Sequence, residues 1–305
     1  MTVTSRPFAQ IDVFSAACGF GNPVAVVLDA QGLDDAALQR FARWTNLSET
    51  TFVLPPRDAR ADYRLRIFTP GGELPFAGHP TLGTCHAWLA AGGQPRDGAR
   101  IVQECAQGLV AIRREGERLA FAAPPSRRSD PSPALLAQVA QALGVTAAQV
   151  RRAQLLDNGP QWLTLLLDSA DTVLALSPDH ARLADLRQKV GVVGVHAAQG
   201  AMHLISRSNR EARAFGAGAA QGEAPLIEVR AFAAPIGVPE DPVTGSLNAS
   251  LAEWLIDAGE LPAAYVAAQG TALGRAGRVH VARDAGGQVW VGGQCVPCIR
   301  GDVSL

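Results

Sequence analysis

His79-Pro80-Thr81-Leu82-Gly83-Thr84 and, a little over half a chain later, Asp241-Pro242-Val243-Thr244-Gly245-Ser246 are two versions of one phrase. Each holds a titratable residue, a proline, two spacers, a glycine and a hydroxyl. Each runs into an apolar segment with helical spacing, Cys85 to Ala91 in the first and Leu247 to Ala258 in the second. A residue before proline is pushed toward extended geometry, glycine permits close approach, and Ser or Thr is a favoured helix cap. Each phrase therefore predicts a titratable side chain beside a helix N-terminus, where unpaired N–H groups attract anions. Two such corners facing one another would form one anion-binding cleft.

The repetition spreads outward from these corners. Arg66-Ile67-Phe68 precedes the first, and Arg230-Ala231-Phe232 precedes the second. Further upstream, Asn22-Pro23 opens one apolar run ending at Asp29, and Asn158-Gly159-Pro160 opens another ending at Asp168. A helix is expected after each run, over 34–45 and over 178–189, with Leu38, Phe41, Ala42 and Trp44 as the buried stripe of the first. Strand, helix, strand, strand, corner and helix thus occur twice. An internal duplication of this period means two similar domains rather than a solenoid. The Pro/Ser-rich stretch 124–133 is the natural linker, so the halves are placed at 1–125 and 126–305, with the final strands free to return to the first half.

The 305 residues are 48% hydrophobic and 18% charged, with 27 Lys+Arg against 28 Asp+Glu. This balance, without a basic run, argues against nucleic-acid or membrane-surface partners. No apolar run nears the roughly 20 residues of a membrane span, and the stretch Met1 to Pro7 lacks the apolar segment of a signal peptide. A cytoplasmic protein is the expectation. Five cysteines include one C-x-x-C, Cys295 to Cys298, within a stretch 289–299 that reads as a single strand. No second pair or spaced histidines accompany it, so a packing role is expected and no metal site.

Glu49, Glu73, His79, Glu240, Asp241 and Ser246 are the residues whose chemistry invites a role. Glu49 stands between a helix and a strand, in Asn46-Leu47-Ser48-Glu49-Thr50. Matching the helices of the two halves sets Val193 opposite it, so one acid faces an otherwise symmetric cleft. That asymmetry suits a single base acting on one face of a substrate. His79 and Asp241, at matching corners, suit a donor and an acceptor across the cleft.

Asn46 to Phe52, Arg66 to Pro70, Glu73 to Gly83, Glu240 to Ser246 and Gln269 to Arg275 together resemble the PhzF phenazine-biosynthesis-like family. The resemblance implies an α+β fold of the diaminopimelate epimerase type: two pseudo-symmetric halves, each a barrel-like sheet around a central helix. It also implies a cofactor-free isomerase, commonly homodimeric, acting on a small carboxylate. Glu49 matches the proton-transfer residue, and His79, Asp241 and Ser246 match the remaining polar site. Gly78, Gly83, Thr84 and Gly245 are expected beside the bound substrate. An amino-acid racemase on the same fold, or a binding protein without catalysis, are the alternatives. The first is opposed by the lack of the paired catalytic cysteines of the racemase relatives.

Overall fold

The computed structural model describes residues 4–98, 100–197 and 224–305. The first half begins with an antiparallel hairpin, β1 (Ser5–Val13) and β2 (Asn22–Val27). Helix α1 (Asp35–Thr45) then crosses over to β3 (Glu49–Leu54), which lies parallel to β2. The chain continues through β4 (Tyr63–Thr69), the short β5 (Gly72–Leu74) and helix α2 (Gly78–Ala90). After them come β6 (Arg100–Cys105), β7 (Gly108–Glu115) and β8 (Arg118–Ala122). β6 returns parallel to β4 and opens an antiparallel meander.

The second half repeats the plan. Its lead-in is β9 (Arg127–Ser129), which pairs with β10 (Val150–Asp157), and α3 (Pro133–Leu143). The hairpin is β10 with β11 (Gln161–Leu167), and the crossover is α4 (Ala170–Ala175) with α5 (His180–Asp185). Next are β12 (Val190–Val195) parallel to β11, β13 (Ile227–Ala233), β14 (Val238–Asp241) and helix α6 (Gly245–Asp257). β15 (Ala264–Gln269) lies parallel to β13 and leads into β16 (Gly277–Arg283) and β17 (Val289–Gly293). β17 pairs with β8, joining the halves into one sheet system. The last strand, β18 (Cys295–Ser304), pairs with β1. The stretch 289–299 is therefore two strands, not one.

The fold is α+β, with two pseudo-symmetric halves each built round a central helix. α2 and α6 are buried on nearly every side, from Gly78 to Ala87 and from Gly245 to Leu255. A helix apolar all round is stable only inside a core, and both share the large central cluster with Leu82, Phe121, Leu247 and Leu251. Smaller clusters lie on the outer faces, one under α1 and one under α3 to α5. α1 is held at its start by Asp34, which accepts from Ala37 N at 2.8 Å, and stops at Asn46 in the left-handed conformation. Its Leu38, Phe41 and Ala42 are buried, but Trp44 is 79% exposed. Trp44 lies off the 3.6-residue stripe and stacks on Phe41 from outside. The helix expected over 178–189 is the shorter α5, preceded by α4.

Matching details confirm the repeat. On β4, Arg66 grips Glu73 with two hydrogen bonds of 2.7 and 2.6 Å and covers the Phe68 ring. On β13, Arg230 grips Glu240 at 2.9 and 2.8 Å and covers Phe232. Cys298 is joined to Cys18 by a disulfide with Cα atoms 5.7 Å apart, tying the β1–β2 loop to β18. The packing role expected for the C-x-x-C pair thus holds only for Cys295, a free and partly buried thiol.

Candidate active site

Both corners lie where α2 and α6 begin, but their register differs from the sequence echo. α2 starts at Gly78, so His79 and Pro80 occupy its first turn, where proline is tolerated because that N–H has no helical partner. α6 starts at Gly245, after Asp241-Pro242 and the N-cap Thr244. Gly78 therefore matches Gly245, and His79 matches Ser246. The echo had aligned Gly83 with Gly245, five residues too far along. Gly83 instead seats α2 against β1 and β2: a Cβ there would stand 2.4 Å from Val24 Cγ1 and 2.9 Å from Val13 Cγ2. Thr84 is buried and donates to Thr51 Oγ1 at 2.9 Å. Neither Thr84 nor Ser246 caps its helix, and Gly83 and Thr84 hold packing places one turn inside α2.

Glu49, His79 and Asp241 do come together. Glu49 Oε2 lies 3.2 Å from His79 Nε2, with side-chain exposures of 15% and 6%. These two atoms are buried, and neither has a hydrogen-bond partner. Asn22 connects the halves: its Nδ2 donates to Asp241 Oδ1 and to the Val243 carbonyl, both at 2.9 Å, and lies 3.3 Å from His79 Nδ1. Asp241 Oδ2 accepts from Thr244 Oγ1 at 2.6 Å. Gln269 backs this corner, accepting from Thr244 N and Asn248 Nδ2 and donating to Thr244 Oγ1 and the Asp241 carbonyl. Ser246 Oγ accepts from Trp162 Nε1 at 3.3 Å, and its carbonyl accepts from Asn158 Nδ2 at 2.9 Å.

Burial sets the proton affinities. Desolvation raises Glu49 to about 7, opposed by a hydrogen bond from Ser48 and the charge of Lys189. Desolvation, with the Glu49 charge next, raises Asp241 to about 6. His79 is pushed down to about 4 by burial, against the pull of Asp241, the Pro23 backbone and Asp12. Near neutral pH the imidazole is uncharged and Glu49 is poised to gain or lose a proton.

Asn22, Gln269, Trp162 and Lys189 were not singled out from sequence. Asn22 and Asn158 were visible as the matching starts of two strands. Matching helix to helix hides Lys189, because strand pairing sets a different register. Arg66 faces Phe52 across β3–β4, and Arg230 faces Val192 across β12–β13. Val193 therefore matches Val53, and the counterpart of Glu49, three residues before Phe52, is Lys189. No group of three or more His, Cys, Asp and Glu side chains that could hold a metal occurs among the described residues.

Comparison with known proteins places this architecture. The family model for phenazine biosynthesis-like proteins matches residues 11–301. "Antisense-enhancing sequence 1" of Schizosaccharomyces pombe is 36% identical over 98% of this chain and 99% of its own length. Trans-2,3-dihydro-3-hydroxyanthranilate isomerase of Pseudomonas fluorescens is 34% identical over 83% of this chain and 81% of its own. The crystal structure of a PhzF-family protein of Bacillus anthracis superposes with a TM-score of 0.79, at 21% identity, over 99% of this chain and 100% of that one. The chain belongs to the phenazine biosynthesis-like, or PhzF, family of isomerases.

Proposed function

We propose that the cleft moves a proton between two carbons of a small cyclic carboxylate, with Glu49 as the proton carrier. The observation that carries this reading is the pair of buried, unbonded atoms Glu49 Oε2 and His79 Nε2, set 3.2 Å apart beside two helix N-termini. The substrate's carboxylate sits at the starts of α2 and α6, where unpaired N–H groups favour an anion. Glu49 as carboxylate removes a proton from a carbon next to a conjugated system. The freed electron pair shifts along that system, and a second carbon takes the proton back from Glu49. His79 and Asp241 hold the ring's amino, hydroxyl or carbonyl substituents while charge is redistributed. Ser246, held by Trp162, lines the opposite wall. No step calls on an added cofactor.

The test uses trans-2,3-dihydro-3-hydroxyanthranilate, named for the Pseudomonas relative, as first probe, with related cyclic amino and hydroxy carboxylates beside it. Turnover in deuterium oxide is followed by mass spectrometry and NMR. Wild type is expected to move hydrogen between ring carbons, and Glu49→Gln to lose about 10²–10⁴-fold in rate while still binding. A Glu49→Gln variant as fast as wild type on a substrate that turns over would sink the assignment. A homodimer in the cytoplasm completes this reading. It is supported by the family resemblance and by the absence, among the described residues, of a helix long and apolar enough to cross a membrane. A strictly monomeric mass at micromolar concentration would remove the dimer.

A further inference from the structure

Lys189 occupies, in the second half, the place Glu49 occupies in the first. Its ammonium lies 5.7 Å from the centroid of the Trp162 ring, and Trp162 in turn donates to Ser246 Oγ. Lys189, Trp162 and Ser246 thus form a continuous strip beside the start of α6. The charge of Lys189 reaches both Glu49 and Asp241, yet among the described residues its Nζ has no hydrogen bond and no ion pair. Other cations near the corners are occupied. Arg66 and Arg230 grip Glu73 and Glu240, and Arg275 donates to the carbonyls of Gly19 and Gly21.

The charge balance of the cleft gives Lys189 a purpose. Glu49 and Asp241 already repel one another, and a carboxylate substrate would bring a third acid into the same partly desolvated space. His79 stays neutral there and contributes no charge. Two helix N-termini together supply about one positive charge, too little for three acids gathered in one space. A half-buried ammonium with no carboxylate in direct contact is itself unfavourable. The added charge of the substrate and the uncontacted ammonium are both relieved if the substrate's anion meets the lysine.

We propose that Lys189 is the cation that receives the substrate's carboxylate, between its Nζ and the first N–H groups of α6, and so selects anionic rings over neutral ones of the same shape. Trp162 holds the lysine stem in place through its ring face. The proposal rests on the carboxylate substrate inferred above.

The experiment compares wild type, Lys189→Met, which keeps an unbranched stem on Trp162, and Lys189→Arg. Binding of anthranilate and of its neutral amide, 2-aminobenzamide, is measured by calorimetry, with circular dichroism to verify folding. Wild type is expected to prefer anthranilate. Lys189→Met should lose about tenfold or more of that affinity, equivalent to about 1.4 kcal/mol, with the amide unaffected, and Lys189→Arg should regain part of it. If wild type and Lys189→Met bind anthranilate equally, the lysine is not the anchor, and the proton-transfer role of Glu49 is untouched. If wild type binds the amide as well as the acid, the carboxylate preference fails, and the lysine proposal falls with it. Should Lys189→Met unfold, Lys189→Gln serves, and the same two comparisons decide.

Discussion

Gly78 and Gly245 touch backbone to backbone, so that a Cβ added to either would stand 3.1 Å from the other's Cα. This contact sets the N-termini of α2 and α6 side by side. Its two sides differ in tolerance. A Cβ on Gly78 also meets the Phe121 ring at 2.8 Å, whereas one on Gly245 meets only the facing corner. Gly78→Ala should therefore lose about 1–3 kcal/mol of stability through overpacking. Gly245→Ala, whose added Cβ meets nothing nearer than 3.1 Å, should lose less than Gly78→Ala. Turnover should fall in both, because the two corners are pushed apart. Thermal unfolding and kcat measured side by side distinguish the cases, and a fully active Gly78→Ala would contradict this account of the contact.

Burial of Glu49 ties stability to pH with a definite sign. Its folded pKa of about 7 lies above the ordinary value of 4.5. Its protonated form is thus favoured by folding, and that contribution is lost as pH rises through about 7. His79 acts oppositely, losing its contribution as pH falls from 6.5 toward about 4. Glu49→Gln should accordingly be more stable than wild type near pH 8, by on the order of 1–3 kcal/mol, and by less near pH 5. Urea unfolding at the two pH values measures the difference. In kinetics, kcat/KM should climb as Glu49 ionises near pH 7, and Lys189→Met should move that limb upward by removing a charge that favours the carboxylate.

The two Arg–Glu clamps share a geometry but not a setting. Arg230 and Glu240 are each 6% exposed, while Arg66 and Glu73 are 23% and 36% exposed. Glu240→Gln leaves a buried guanidinium without its counter-charge and should cost about 3–5 kcal/mol. Glu73→Gln, with water and Asp35 at hand, should cost about 1 kcal/mol or less. Equal losses in chemical denaturation would refute the distinction.

The Cys18–Cys298 link spans 280 residues of sequence. Cys298→Ser should lower stability by roughly 2–4 kcal/mol under non-reducing conditions and leave the reduced protein nearly unaffected. Non-reducing peptide mapping should recover the two cysteine peptides as one linked species.

Two-fold organisation was legible because the corner phrase and the Arg-x-Phe strands survive in both halves. Its register was not. Pro, Gly and a hydroxyl form the same local signal whether they precede a helix or sit inside its first turns, and only packing decides that α2 begins at Gly78. Lys189 was missed for a related reason. The second half replaces α1 by two short helices, so helix positions do not transfer, whereas the pairing of Arg66 with Phe52 and of Arg230 with Val192 does. Glu49, His79 and Asp241 stood out by residue type and motif. Asn22, which spans the halves, gave only an Asn matched at the start of an apolar run. The disulfide partner of Cys298 could not be read at all, since spacing does not determine connectivity.

The pairing of β18 with β1 sets an order of assembly. Ser5 faces Ser304 and Val13 faces Cys295, so one edge of β1 stays open until every strand of the second half has left the ribosome. At about 5–20 residues per second of synthesis, that edge waits through the making of β9 to β17. Domains generally mature from the N-terminus onward; in this chain the half that is written first is finished last.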